Sequence, residues 1–459
     1  MECPRVRHPI FGEGIAIDQR HHGHEFLVQF PHAVQLWLRR SILTFIDAYE
    51  PVEGEPFPFP RPSLTKEILP PIPEDARSVI EAFRMGIVPV RAIREWTVGR
   101  EQEVDRVRQW LQDETSGTMV IRGEYGSGKS HLIEYLHASG FDLNYAVGLV
   151  GINPGDAQPG FPKRVYRHLI RNLRFPFQGQ YYTLHEMLTV IGRDLERNPL
   201  PDHRFLGKIL ERIRDERDTP ELWEWIEGQE TGFAEFGTLY DHTTAANIYC
   251  NILSGLGAFA VRALGLRGII LMFDEAETSR TYRYSYEWSR AVNFFNALSM
   301  VANDEPDLAD EAVVKGATCY SGAKTSLIYS GHLRIPYVHQ LPSFLKVVFA
   351  FTPDYTLYLT RDYNIYEITL ETLPASLLEH LFYRFMDLYE RVYRFEVPKG
   401  YRRRIFDLAR EASSYSTRRF IKAMVECLDF HRFNPGKHPA HLVSHESSAR
   451  ESGRRTLPA

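Results

Sequence analysis

Short apolar runs alternate with amphipathic segments along the middle of the chain. Four predominantly apolar runs have the composition of strands buried on both faces of a parallel sheet: residues 118–121, 146–152, 268–273 and 345–351. Between them, apolar residues recur at helical spacing, as in residues 131–137 and 286–301. The alternation predicts an α/β fold in which a parallel sheet is flanked by helices.

The two ends of the chain have other patterns. Short apolar runs punctuated by glycines predict hairpins near the start, and eight prolines in residues 51–73 predict an extended, semi-stiff linker. We predict five divisions: a small β module at 1–48, a proline-rich linker at 49–73, an α/β core with a helical insertion at 74–372, a helical lid at 373–433 and a disordered tail at 434–459.

Composition limits the class of protein. A formal net charge of −5 excludes general electrostatic attraction to nucleic acid, so any contact with DNA requires a local basic patch. The four cysteines lie far apart, which predicts reduced thiols, and no apolar run approaches the roughly 20 residues that span a bilayer. The sequence shows no signal-peptide pattern. We expect a cytoplasmic protein without a membrane partner.

The first candidate site follows the run at 118–121. The sequence GEYGSGKS fits the phosphate-loop pattern at every constrained position, with a predicted strand before it and a predicted helix after it. Glycines let successive N–H groups point at one phosphate chain. Lys129 is expected to reach the β- and γ-phosphates of ATP, and the Ser130 hydroxyl to hold Mg²⁺. The candidate nucleotide-binding residues here are Gly123, Glu124, Tyr125, Gly126, Ser127, Gly128, Lys129, Ser130 and His131.

The second candidate site ends the run at 268–273. This run is apolar throughout and closes with Asp274 and Glu275, so its carboxyl end places two carboxylates beside the phosphate loop if both strands share a sheet. Asp274 would join the Mg²⁺ shell, and Glu275 would polarise the attacking water. We therefore predict that Glu275→Gln keeps ATP binding and loses turnover, whereas Lys129→Ala loses binding.

The order of these motifs resembles that of AAA+ ATPases, in which a Val-Gly-Arg-Glu box precedes the phosphate loop. Here the box is formed by residues 97–101, and the resemblance implies that Val98 and Gly99 back the adenine ring. The other reading of the box is a plain helix start with acidic residues in its first turn.

The same resemblance implies further residues around the γ-phosphate. Thr352, or as second choice Asp354, would be the polar residue at the end of the strand that neighbours the one ending in Asp274. The alternative is an ordinary turn at the end of a strand. Arg418, with Arg419 as alternate, would reach the γ-phosphate from the lid, unless the pair is a solvated basic helix start. A homo-oligomer would supply an arginine finger, for which the candidates are Arg290, Arg334 and Arg361.

Local sequence narrows the resemblance to the BrxD-like ATP-binding proteins of BREX-type phage-defence systems. The matching stretches are residues 86–89, 97–100, 123–131 and 273–277. This resemblance implies a helicase or another defence-system protein as partner. Residues 8–14 and 28–30 resemble small Tudor/SH3-like modules, which dock onto other proteins; a stabilising β cap is the alternative. His21, His22 and His24 are read as a solvated loop rather than a metal site.

Three functions fit these patterns. The leading hypothesis is a Mg²⁺-dependent ATPase that drives or gates a DNA-acting complex in phage defence or repair. The alternative is a nucleotide-controlled adaptor that binds a partner protein through residues 1–48, with slow hydrolysis as a switch. A third is a DNA-binding regulator that uses the basic segment 163–174, which is otherwise a solvated helix face.

Overall fold

The computed structural model describes residues 4–8, 12–20, 25–30, 34–46, 76–194, 198–229, 232–233, 235–277, 285–353, 365–413 and 416–434. The predicted linker, the predicted tail from residue 435 onward, and the histidines at 21, 22 and 24 lie outside this range. The chain divides into two compact units, residues 1–92 with 374–459 and residues 93–373. The five divisions predicted from the sequence are not tested by this separation into two units, and they stay predictions.

The strands are β1 Arg5–His8, β2 Gly12–Arg20, β3 Glu25–Phe30, β4 Val34–Arg39, β5 Thr44–Phe45, β6 Thr118–Gly123, β7 Ala146–Gly151, β8 Phe175–Phe177, β9 Gln180–Tyr182, β10 Gly232–Phe233, β11 Gly237–Thr238, β12 Ile269–Asp274, β13 Val313–Lys315, β14 Tyr320–Gly322, β15 Ile328–Tyr329, β16 Leu345–Phe351 and β17 Tyr366–Leu370. The helices are α1 Ala76–Met85, α2 Glu101–Gln112, α3 Lys129–Asp142, α4 Pro162–Asn172, α5 Leu184–Asp194, α6 Leu206–Arg214, α7 Pro220–Ile226, α8 Ala246–Leu264, α9 Ser285–Ala302, α10 Ala375–Tyr393, α11 Lys399–Ala412 and α12 Thr417–Phe433.

The larger unit is organised around a parallel sheet with the strand order β17-β6-β16-β12-β7. In its register, Phe273 of β12 pairs with Phe349 of β16, and Phe351 of β16 pairs with Arg122 of β6. The carboxyl ends of β6, β16 and β12 therefore meet at one edge. The α/β class and the placement of both candidate strands in one sheet are confirmed, with β16 between them.

Side chains of the central strands alternate between two apolar cores. Ile270 and Met272 of β12 pack in the core that contains residues of α2 and α3. Leu271 and Phe273 pack in the larger core on the other face, with residues of α4, α8 and α9. Both faces of β12 are covered by other elements, and this explains why the strand is apolar throughout, as the sequence pattern indicated.

The region between α9 and β16 differs from its prediction. The polar sequence of residues 306–326 predicts a loop or a lid, but β13 and β14 lie within it and form a small antiparallel sheet with β15, which follows it. The Glu311 carboxylate accepts bonds from the Thr325 amide and hydroxyl (2.6 and 2.8 Å) and from the Tyr329 hydroxyl (3.0 Å). A single carboxylate that faces the protein interior can hold such short strands together. Strands of two or three residues are also too short to show a clear alternation of apolar and polar residues in the sequence.

The smaller unit contains an antiparallel sheet and a group of helices. The sheet has the order β4-β3-β2-β1-β5, with a core of Val6, Ala16, Phe26 and Val28. Helix α1 packs against α10 and α12, where the Arg84 guanidinium donates to both Asp429 oxygens (2.9 and 3.0 Å). The helical prediction for residues 374–432 is confirmed by α10, α11 and α12.

Among the described residues, no helix combines the length and the apolar character that crossing a membrane requires.

Candidate functional site

The phosphate loop connects β6 to α3 and depends on its glycines. Gly126 and Gly128 have φ of +81° and +109°, in the region where an L side chain is strained. A Cβ on Gly123 would lie 2.4 Å from the Ser127 hydroxyl oxygen, so a side chain there would displace the loop. A Cβ on Gly128 would meet nothing within 4 Å, which leaves the backbone at the start of α3 accessible.

Lys129 is the first residue of α3 and is only 8% exposed. Its Nζ donates to the Gly123 carbonyl (2.7 Å) and the Glu124 carbonyl (3.3 Å), so the ammonium group lies across the loop rather than in solvent. A buried ammonium group held by neutral acceptors attracts anions strongly. Ser130 follows it on α3 with an exposed side chain.

Arg100 was not among the residues predicted to act at the site, yet it connects three parts of it. Its guanidinium donates to the Ser127 carbonyl of the loop (2.8 Å), to the Glu371 carbonyl after β17 (2.5 Å) and to the Glu103 carboxylate (2.8 Å). This arrangement ties the 97–101 box to the loop and leaves Gly99, with φ of +67°, at the turn. The arginine in the box was the sequence signal for this role.

His131 lies on α3 beside the same box. The Thr97 hydroxyl has one proton and donates it to the Ile93 carbonyl (2.6 Å), so the His131 Nε2–H must donate to Thr97 Oγ1 (2.9 Å). Burial and the nearby Arg100 charge lower the pKa of His131 to about 4. His131 is therefore a neutral ring that fixes the loop helix to the box.

Asp274 is the last residue of β12, at the edge of the sheet where the phosphate loop follows β6. Asp274 Oδ1 accepts the Glu275 amide (2.9 Å), and Glu275 is exposed with a left-handed φ of +54°. The charge of Asp274 raises the pKa of Glu134 on α3, second to burial, so the acids and the loop helix share one electrostatic environment. Lys129 in turn lowers the pKa of Glu277, although burial is the larger influence and raises it.

Thr352 is placed by the register of β16. It follows Phe351, which pairs with Arg122, so Thr352 is level with Gly123, the first residue of the phosphate loop. Its side chain is half-buried. The position suits a polar group near the γ-phosphate, and this role stays a prediction. Asp354, the second candidate, lies outside the described residues.

The arginine predictions remain untested. Arg418 and Arg419 open α12 in the smaller unit, where the Ser416 hydroxyl caps the helix by accepting the Arg419 amide (3.5 Å). Arg290 stacks on Tyr286 and Arg334 on Tyr320, with 5.0 and 4.1 Å to the ring centres. Arg361 lies outside the described residues.

Most of the basic segment lies in α4, and the apolar residues of that helix are buried. Tyr166 is fully buried, and its hydroxyl donates to the Ile226 carbonyl (2.7 Å). Lys163 is also buried, at 4% exposure, so it adds nothing to a basic surface. What remains exposed on α4 is a partial set of arginines.

The residues at the loop fit a nucleotide with Mg²⁺. Two polar atoms, Ser127 Oγ and Glu277 Oε2, are buried and have no hydrogen-bond partner among the described residues. Oxygen donors for a hard cation are available from Ser130 and Asp274. No group of three or more His, Cys, Asp or Glu side chains within the described ranges could hold a metal alone. Mg²⁺ commonly needs only one or two protein ligands when phosphates supply others.

Comparison with known proteins agrees with this geometry. Residues 72–189 match the family described as BREX system ATP-binding protein BrxC/D, a segment that covers the 97–101 box, the phosphate loop and α3. This match shows the resemblance and supports ATP as the ligand. No curated protein matches the chain. One solved structure among those that match, of the Drosophila ORC bound to DNA, has 13% identity, covers 82% of this chain and 73% of that chain, and has a TM-score of 0.35.

Proposed function

We propose that the protein is a Mg²⁺-dependent ATPase of the AAA+ type that drives or gates a DNA-acting complex in phage defence. The observation that carries this proposal is the shared sheet edge: β6, which leads into the phosphate loop, and β12, which ends at Asp274, lie parallel on either side of β16, so their carboxyl ends meet at the same edge. That arrangement suits a phosphate chain bound on one side and a metal and water on the other.

The residues have separate tasks in the proposed reaction. The amides of the loop and the N-terminus of α3 hold the triphosphate, since the first N–H groups of a helix have no intrahelical acceptor. Lys129 exchanges its two loop carbonyls for phosphate oxygens and neutralises charge that develops on the γ-phosphate. Val98 and Gly99 would back the adenine, Thr352 and Arg418 would contact the γ-phosphate, and Glu275 would polarise the water.

Mg²⁺, when bound, supplies positive charge that neutralises the phosphates. Ser130 and Asp274 are the residues that would hold it.

The proposed partners follow from the resemblance to BREX proteins. They are further copies of the chain, which would contribute an arginine finger, and a helicase or another defence protein. DNA would be reached through local basic patches. The free cysteines among the described residues agree with a reducing compartment, and we propose the cytoplasm.

The alternative function is a nucleotide-controlled adaptor. It is favoured by the small antiparallel sheet of β1 to β5, a separate element that could bind a protein while ATP sets the conformation of the rest.

Steady-state ATP hydrolysis by the full chain distinguishes these functions. The ATPase proposal predicts phosphate release that requires Mg²⁺ and rises several-fold with duplex or single-stranded DNA. Slow hydrolysis that no DNA accelerates, together with binding of a defence protein, would favour the adaptor. No Mg²⁺-dependent phosphate release, alone, with DNA or with partner proteins, would contradict the assignment as an ATPase.

A further inference from the structure

Two cationic side chains donate to backbone carbonyls of the phosphate loop. Lys129 Nζ donates to the carbonyls of Gly123 and Glu124, and the Arg100 guanidinium donates to that of Ser127 (2.8 Å). Lys129 has to give up its bonds when its ammonium group turns to phosphate oxygens. The bond from Arg100 meets no such conflict, because Arg100 approaches the loop from the start of α2. Arg100 can therefore hold Ser127 both before and after a ligand binds.

The direction of the Ser127 carbonyl determines the direction of the next amide. A trans peptide is planar, so the Ser127 C=O and the Gly128 N–H point in opposite directions. With the carbonyl bonded to Arg100, the Gly128 N–H points away from that guanidinium. A Cβ on Gly128 would meet nothing within 4 Å, so the loop is open at this residue. An anion can therefore reach the Gly128 amide.

The glycines on either side of Ser127 make this peptide easy to rotate. Gly126 and Gly128 both have positive φ, and glycine also adopts negative φ at similar cost. A rotated peptide would direct a carbonyl oxygen, which repels phosphate, to a place where an anion site needs an amide. A bond that fixes the peptide before the ligand arrives removes part of the ordering cost of binding.

Arg100 is itself anchored on two sides. Its guanidinium donates to the Glu103 carboxylate in the first turn of α2 (2.8 Å) and to the Glu371 carbonyl after β17 (2.5 Å). The side chains of Arg100 and Glu103 are 11% and 19% exposed. A planar guanidinium with donors in fixed directions can make these bonds and the bond to Ser127 together. Arg100 is therefore a rigid support for the loop.

We propose that Arg100 is a positioning residue for the nucleotide: by holding the Ser127 carbonyl, it keeps the Gly128 amide directed at the phosphate chain. This inference rests on the proposed binding of ATP at the loop. Arg100 acts through the loop backbone and contacts neither the phosphates nor the base. Its contribution is therefore to the affinity for the phosphate chain, whether or not a base is attached.

Calorimetric titration of the full chain with ATP and with inorganic tripolyphosphate, both in Mg²⁺, tests this role. Arg100→Met removes the donors and keeps most of the side-chain length, and we expect the affinity for each ligand to fall about tenfold. Arg94→Met is the matched control, because Arg94 also donates to a backbone carbonyl of α3, that of Ala138 (3.3 Å), away from the loop. It should bind both ligands within about twofold of the unsubstituted protein.

Glu103→Ala separates positioning from a simple effect of charge. This substitution removes the carboxylate that anchors Arg100 and leaves the arginine in place, so the surroundings of the loop become more positive. Positioning predicts that the affinity for both ligands falls about threefold, because Arg100 is held less firmly. A simple effect of charge predicts tighter binding of both ligands, and that result would contradict the proposal.

Other results would also overturn the assignment. If Arg100→Met binds both ligands as Arg94→Met does, the Gly128 amide needs no support. A loss for ATP alone, with normal tripolyphosphate binding, would place Arg100 on the adenine side of the site. Fewer binding sites at unchanged affinity would show a role in folding only.

The unsubstituted protein tests the proposed function separately, before any variant is compared. If it binds neither ATP nor tripolyphosphate, the proposed function itself is wrong. If it binds ATP but no tripolyphosphate, the loop amides contribute too little for Arg100 to position them, and only the inference about Arg100 is wrong.

Discussion

The two ends of the central sheet each bury a lysine, and the two lysines are held differently. Lys129 follows the carboxyl end of β6 and Lys346 lies near the amino end of β16, and both are 8% exposed. Lys346 Nζ donates to three carbonyls, those of Trp110, Asp113 and Ser116 (3.1, 2.6 and 2.9 Å), and lies 4.6 Å from the centre of the Trp110 ring.

The number of acceptors separates the roles of these lysines. An ammonium group has three protons, so Lys346 is fully satisfied by the carbonyls that end α2 and precede β6. Burial lowers its pKa to about 8, but nothing at that edge requires an external anion. Lys129 donates to two carbonyls, both in a loop built from glycines. Of these two buried lysines, the one whose ammonium group is incompletely satisfied by the described residues is therefore the one in the phosphate loop.

The largest expected effect comes from Lys129→Ala. Removing the ammonium group eliminates the charge that faces the β- and γ-phosphates, and we expect ATP affinity to fall about a hundredfold or more. Equilibrium titration with ATP and Mg²⁺ measures the change. Lys315→Ala, which removes an exposed lysine of β13, is the control and should bind like the unsubstituted protein. Equal affinity in the two variants would place the nucleotide elsewhere.

Lys346→Ala should act on stability instead of binding. It leaves three carbonyls without their donor in a buried place, and we expect the free energy of unfolding to fall by about 2–4 kcal/mol. Denaturant unfolding measures it, again with Lys315→Ala as the control. The folded fraction of Lys346→Ala should bind ATP within about twofold of the unsubstituted protein, and a specific loss of ATP affinity would remove the distinction between the two sheet ends.

The smallest effect concerns pH at the phosphate-loop end. The folded pKa of His131 is about 4 and its ordinary value is 6.5, so between these values the unfolded chain binds the proton and the folded chain does not. The stability contribution is complete above pH 6.5 and is lost as the pH falls toward 4. Unfolding measured at pH 7 and pH 4.5 should show the unsubstituted protein losing about 2 kcal/mol relative to His131→Gln. An equal loss in both would contradict a neutral, buried His131.

Much of the sheet could be predicted from the sequence because its signals are local. Strands such as β12 are covered on both faces and read as continuous apolar runs, and the phosphate loop needs glycine and lysine at fixed positions. The strand order and the position of β16 between β6 and β12 come from pairing across hundreds of residues, which no local pattern contains.

The missed features depend on contacts distant in sequence. Arg100 reads as a helix-start residue until the Glu371 carbonyl is seen beside it. The polar stretch at 306–326 predicts a loop although it contains β13 and β14, because strands of three residues are too short to show an alternating pattern.

A structure determined with Mg²⁺ and a non-hydrolysable ATP analogue tests the central claim most directly. The account predicts the triphosphate on the backbone amides of residues 126–130, with Ser130 and Asp274 facing one metal ion. An analogue bound elsewhere, or an Asp274 carboxylate too far from the phosphates to share that ion with Ser130, would contradict it.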